Sequence, residues 1–316
     1  MTYAQYGSIQ AADYNGLVGG NPVTGSGSLN SVWATGGTTS GYGQTAEGNV
    51  AVGDSVTAAK WANLINKTAS AASHQGTSIT SVTAPATGGT ITFISSVPTN
   101  LTSIYSSRLN AATQGATGSN AVAYGSSWLN ALTFTQTVSF ANGDAARYFF
   151  NAGGQLKIVP THDATSGAGN TLFNGLASNV GTVVMSAPTS GTITIASTSY
   201  NGITKIGGGG SAPTISTNSG YFAMTTSNAN VFTQLAGGAT AYLNSFIRVI
   251  AKSNGTQGSN GDTGSIITLY TVWDEVPDGL TVGSGSTVTL TVVAPETTNL
   301  ANTWGTITLA GSVTGS

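Results

Sequence analysis

Between Leu132 and Phe140 the chain alternates by residue type, with Leu132, Phe134, Val138 and Phe140 set between Thr133, Thr135, Thr137 and Ser139. Successive side chains of a strand point to opposite faces, so this stretch predicts a strand with one apolar and one hydroxyl face. Gln136 interrupts the apolar row, which points to a half-buried strand rather than a central one. Asn142-Gly143-Asp144 predicts a turn, because Asn and Gly tolerate positive φ. Arg147–Phe150 then reads as a second strand, Asn151–Gly154 as a second turn, and Leu156 and Ile158 as the core face of a third strand, with Gln155 and Lys157 outward. The expectation is an antiparallel meander over 132–159 that buries Leu132, Phe134, Val138, Leu156, Ile158 and one of Tyr148 or Phe149. Alternation also leaves one of Phe149 and Phe150 on the outer face, where it would need a second layer or a neighbouring subunit.

Composition bears on what surrounds this stretch. Of 316 residues, 39% are apolar and only 6% are charged, and 44 are Gly. An ordinary globular domain is roughly a quarter charged. Disorder requires low hydropathy or high net charge, whereas here the mean hydropathy is +0.11 and the net charge is −2. A folded, β-rich chain with many tight turns fits better. Soluble proteins ordinarily keep charge on their surfaces, and charge is depleted in the buried centre of interfaces. A surface of Thr, Ser, Asn and Ala therefore suits a protein largely covered by neighbours, the alternative being an extracellular or thermally robust β protein. The chain has no Cys, so neither disulfides nor Cys-based metal sites are expected. Met1–Tyr6 lacks the basic and apolar regions of a signal peptide. No run approaches the ~18 apolar residues of a membrane span, and the eight Lys and Arg are scattered, so neither membrane nor nucleic acid is an expected partner.

Residues 1–50 read as short helical turns, lined by Ile9, Ala12, Leu17 and Val18 and by Leu29, Val32 and Trp33, among Gly-rich loops. Gly41–Ala46 has the loose form of a dinucleotide fingerprint but follows a Gly/Thr loop rather than a strand, and reads as a loop. Residues 57–75 give the clearest helix. Thr57 can cap it, Val56 and Trp61 can staple it, Trp61, Leu64, Ile65, Thr68 and Ala72 form one stripe, and Gly76 ends it. His74 in its last turn reads as a capping or packing residue. A strand is expected over Thr90–Ile94 and a second helix over about Leu101–Thr113. Gly115–Asn120 looks like a linker. Further on, Leu172, Phe173, Leu176, Ala177 and Val180 have helical spacing, Val183–Met185 and Thr192–Ile195 read as short strands, and Gly207–Gly210 as a loop. Phe246–Ala251, Ile266–Trp273, Val288–Val293 and Thr306–Leu309 read as closing strands, with a long polar loop between the first two.

No catalytic, cofactor-binding or metal-ligating residue is nominated. There is no G-x-S-x-G elbow, Walker loop or H-E-x-x-H. His162-Asp163 is the one close His/acid pair, but neighbours on an extended chain point apart and no nucleophile accompanies them. Asp274, Glu275 and Asp278 cluster, but adjacent strand residues face opposite sides, and Val276–Gly279 reads as a turn. Asp262 and Asn260 lack EF-hand spacing. Trp61, Trp128, Trp273 and Trp304 sit in periodic contexts and read as core.

Several strings carry a resemblance. "FANGDAARYFFNAGGQLKI" (140–158), "GYGQT" (41–45), "VTAAKWANLINK…HQG" (56–76), "LTSIYSSRLNAATQG" (101–115), "NGTQGSNGDTGS" (254–265), "TVWDEVPDGLTV" (271–282) and "LANTWGTITLAGSVTG" (300–315) are similar, in order, to a family of tailed-bacteriophage virion structural proteins. The resemblance covers nearly the whole chain and carries no catalytic motif. It implies a non-enzymatic virion protein of the tail, neck or an attached fibre, assembled in the host cytoplasm. The partners implied are further copies of the chain, as a homo-oligomer, and other virion structural proteins. One alternative is a glycan-recognising adhesin or receptor-binding protein of the particle, in which loop aromatics such as Tyr200 or Tyr221 would stack on a host-surface glycan. Another is a surface-filament or S-layer protein, which the composition fits but for which no export signal is seen. The fold class expected is mainly β: an antiparallel β-sandwich-like domain over 128–316, an N-terminal α-containing (α+β) portion over 1–115, and a linker over 116–127.

Overall fold

The structure is a computed structural model that describes residues 10–19, 27–89, 91, 95–216, 219–237 and 242–315. Four helices come first: α1 (Ala11–Val18), α2 (Leu29–Val32), α3 (Ala58–Gln75) and α4 (Ser96–Ser106). Then follow β1 (Gln114–Tyr124), β2 (Ala131–Ser139), α5 (Gly143–Asn151), β3 (Gln155–His162), α6 (Ala168–Val180), β4 (Thr182–Met185), β5 (Ile193–Ile195), β6 (Thr198–Tyr200), β7 (Ile203–Ile206), β8 (Thr214–Ile215), β9 (Ala229–Leu235), β10 (Phe246–Ser253), β11 (Ile266–Asp274), β12 (Ser286–Pro295) and β13 (Thr308–Gly315). The chain is mainly β. One antiparallel sheet has the order β1-β12-β3-β4-β7 and the other the order β13-β2-β11-β10-β9-β8, and the hairpin β5-β6 stands apart.

The two sheets stack as a sandwich in matching order. Gly311 of β13 lies against Val122 of β1. Gln136 of β2 reaches Val288 of β12. The His162 ring of β3 lies 6.2 Å from Trp273 of β11. Beyond that point α6 fills the space between the layers, its Phe173 ring 5.7 Å from Trp273 and 4.8 Å from Trp128. Phe173, Leu176, Ala177 and Val180 are all buried, the stripe that their spacing predicts.

The expected meander over 132–159 is corrected. β2 forms as expected, with Leu132, Phe134 and Val138 buried, and so does β3 with Leu156 and Ile158. The middle segment is a helix, α5, and the two strands belong to different sheets. Asn142 is not a turn residue but the N-cap, its Oδ1 accepting the Ala145 N–H at 2.8 Å. Asp144 sits in the first turn, where a carboxylate favours the helix dipole. Ala145, Ala146, Phe149 and Phe150 then fall on one face and are buried, so neither Phe is on an outer surface. The aromatic run has strand propensity, but burial of this face and the cap override it. Gly153, at φ +85°, turns the chain into β3. Two side-chain expectations also change. Gln136 is buried in a strand flanked on both sides, and Gln155 is buried with its Oε1 accepting from Gln114 Nε2 at 2.6 Å.

The N-terminal portion meets the rest of the chain through the 37–44 loop, which packs on α5, and through the segment that follows β12. Helix α3 is as expected, with the Thr57 hydroxyl accepting from Lys60 N and Gly76 in the left-handed region. Helix α4 spans Ser96–Ser106 rather than 101–113. Pro98 in its first turn forfeits no intrahelical bond there, which lets the helix start before Leu101. Gly43, at φ +71°, presses on α5, since a Cβ there would come within 2.4 Å of the Tyr148 ring. Asn151 Nδ2 donates to Gly41 O at 2.9 Å. One continuous core includes Tyr14 and Trp61 of the helices and Phe134 and Trp273 of the sandwich. Residues 116–127, expected as a linker, lie largely in β1, which pairs with β12 along its length. Ile9 and most of Thr90–Ile94 lie outside the described residues.

Candidate functional site

The residues weighed for chemistry are brought to separate places and engaged in structural bonds. His162 is buried, with Ser286 Oγ 3.1 Å from Nδ1 and Asn170 Oδ1 3.1 Å from Nε2. This is a Ser–His–Asn chain of contacts, which sequence spacing did not indicate. Its serine is fully buried, and the Trp128 indole N–H donates to Ser286 Oγ at 3.2 Å. Both ring nitrogens have partners inside the core, so the arrangement ties β3, β12 and α6 together. Asp163 is exposed and takes no part.

The acidic cluster divides as strand alternation requires. Glu275 is fully buried and accepts the Leu280 N–H at 2.8 Å and the Gly279 N–H at 3.2 Å, closing the turn after β11. Asp274 points the other way, where burial first and the nearby Asp278 second push its carboxyl above the usual range. Asp262 accepts from Ser259 N at 2.7 Å and Thr256 Oγ1 at 3.2 Å, which closes the loop between β10 and β11. Among the described residues no group of three or more His, Cys, Asp or Glu could hold a metal ion. No described helix is long and apolar enough to cross a membrane.

Tyr200 and Tyr221, the loop aromatics that the glycan-binding alternative would use, are both buried. Tyr221 stacks on Phe150 with ring centroids 4.2 Å apart. Trp61, Trp128, Trp273 and Trp304 are buried as expected. His74 is buried too and packs edge-on against Tyr42, ring centroids 5.2 Å apart, as the packing alternative expects, and it also makes a bond. Its Nδ1 lies 2.9 Å from Glu296 Oε1, joining α3 to the chain after β12. This bond, helped by Asn299 and opposed by burial, lowers the Glu296 pKa to about 2.

Among the described residues no strand pairs with the outer side of β1 or of β13, while β7 and β8 end the same two sheets on the opposite side. β1 ends one sheet and β13 ends the other. The two lie together, because a Cβ on Gly311 would come within 2.4 Å of Val122 Cγ2 and one on Gly315 within 2.8 Å of Tyr124 Oη. Neither strand contains Asp, Glu, Lys, Arg or Pro, and the strands behind them, β2 and β12, carry no charge either. An unpaired strand presents a row of N–H and C=O groups, which proteins usually blunt with charge, Pro or a bulge. Here a bulge between Gln114 and Thr117 marks one end of β1. The regular part, Thr117–Tyr124, matches the 8 residues of β13. Ser119, Ala121, Ala310 and Ser312 are exposed along it. The signal for β1 was present in the alternation of Asn120, Val122 and Tyr124 with Ser119, Ala121 and Ala123, but Gly and Ser masked it. No family model, curated protein or solved structure matches the chain.

Proposed function

We propose that this chain is a non-enzymatic structural protein of a tailed-phage virion, in the tail, neck or an attached fibre, acting by self-association and by docking onto other virion proteins. The observation that carries this reading is the pair of open, uncharged edge strands β1 and β13, side by side on a protein with only eight basic and ten acidic residues. Such edges call for a partner, and closed symmetric assembly is the usual way to cover them.

The resembling strings also meet in the fold. "GYGQT" packs on the helix of "RYFF", and its Gln44 Nε2 donates to Ala301 O of "LANTWG" at 2.8 Å. They mark contacts within one core rather than scattered surface words. Gold-labelled antibody against the chain, applied to purified phage particles and viewed by electron microscopy, tests the reading. Label on the tail, neck or fibre is expected, and particles that lack the chain altogether would contradict it.

A further inference from the structure

Resting on that self-association reading, we infer that β1 and β13 pair at the same time with the β1 and β13 of a second copy, across a two-fold axis normal to the sheets. Three observations lead there. The layers stack in register, β1 on β13, β12 on β2 and β3 on β11, so both open edges lie on the same side of the sandwich. The two strands also run the same way. Gly311 sits beside Val122 and Asn120, and Gly315 beside Tyr124, so both sequences advance together. Finally, all strand pairings in the two sheets are antiparallel.

Two isologous arrangements can bring such an edge against itself. A two-fold axis along the strands would set β1 beside the partner's β13, with both pairings parallel. A two-fold axis normal to the layers sets each strand beside its own counterpart, with both pairings antiparallel. Antiparallel ladders are slightly more stable per residue, and an isologous contact is self-complementary. Each sheet would then continue through the dimer, and both uncharged edges would be covered in one step. With no charged side chain on either strand, no like charges meet across the axis.

The test uses the full chain and reads size and amide protection together. Sedimentation velocity should give a dimer whose fraction rises with concentration. Hydrogen exchange should slow in 117–124 and 308–315 as the dimer forms. Ala121 is exposed in the middle of the regular part of β1, so Ala121→Lys and Ala121→Glu should each keep the fold. Each alone should weaken association about tenfold or more by like-charge repulsion at the axis, and an equal mixture of the two should recover it. If the protein self-associates while both strands exchange freely, or if Ala121→Lys associates as the parent does, this interface is wrong and self-association stands. If the parent remains monomeric at every concentration, the interface and the self-association reading both fall.

Discussion

Gly311 on β13 and Val122 on β1 approach so closely that a Cβ added to the glycine would lie 2.4 Å from Val122 Cγ2. The same Cβ would lie 2.8 Å from Asn120 Oδ1 and 3.3 Å from Gln136 Cγ. Glycine here is a matter of space between the layers, since φ at this position is not in the left-handed region. Gly311→Val should force the layers apart and destabilise the fold by about 1–3 kcal/mol. Urea unfolding checks it, and an unchanged midpoint would mean that the layers are not this close.

Gln136 is a polar residue in the apolar row of β2, and its burial has a stated use. Its Nε2 donates to Asn120 O at 3.1 Å and to Val288 O at 3.3 Å, so one side chain on one sheet bonds two strands of the other. Gln136→Leu keeps the apolar volume but leaves those carbonyls without this donor. A loss of about 1–3 kcal/mol is expected, read as a drop in thermal or chemical stability. A neutral or stabilising effect would show that the amide bonds contribute nothing net.

Glu296 supplies a pH dependence. Its folded pKa is depressed, chiefly by the bond from His74, from 4.5 to about 2. A depressed carboxylate contributes stability that is fully present above the unfolded pKa and is lost as pH falls through the folded one. The window is therefore about pH 4.5 down to about 2. His74→Phe should raise the Glu296 pKa and flatten the acid side of the stability profile in that window. Chemical denaturation at a series of pH values provides the reading, and parallel profiles for parent and variant would count against the pair.

Arg147 is fully buried on α5. Its Nε and Nη2 donate to Asp144 Oδ1 at 3.0 and 2.9 Å, and its Nη1 donates to Ser40 O at 2.6 Å and Gly37 O at 3.2 Å. It holds the loop before "GYGQT" against the helix. Asp144 is 29% exposed, so the main loss on Arg147→Ala is the donor to the buried Ser40 carbonyl, with an expected cost of about 1–3 kcal/mol. Arg147→Lys should also lose stability, because an ammonium cannot reproduce the planar fork. Unfolding midpoints for the two variants check this, and a tolerated Arg147→Ala would remove the clamp.

The parts of the fold legible in the sequence are those whose periodicity is local and unbroken. Helix α3 announces itself through Thr57, the Trp61–Leu64–Ile65 stripe and Gly76, and β2 through its alternation. Helix α5 was hidden because Asn142-Gly143 is equally a turn signal and Tyr148-Phe149-Phe150 favours strands. The Asn142 cap and the Ala145/Phe149 and Ala146/Phe150 spacing were the competing signs. β1 was hidden by its composition, since an edge strand needs few apolar residues. The buried partners of His74, His162 and Gln136 lie far along the chain, at Glu296, Ser286 and Val288. No local pattern reports such contacts. The edge formed by β1 and β13 is of the same kind: each strand is bland by itself, and only the topology sets them side by side.

Self-association is tested most directly by sedimentation velocity of the purified full chain from nanomolar to high micromolar concentration, at low and at high salt. A concentration-dependent shift from monomer to a closed oligomer is expected. It should respond little to salt, because the edges carry no charges to screen, and should be reversed by moderate denaturant. A single monomeric species throughout that range would contradict it.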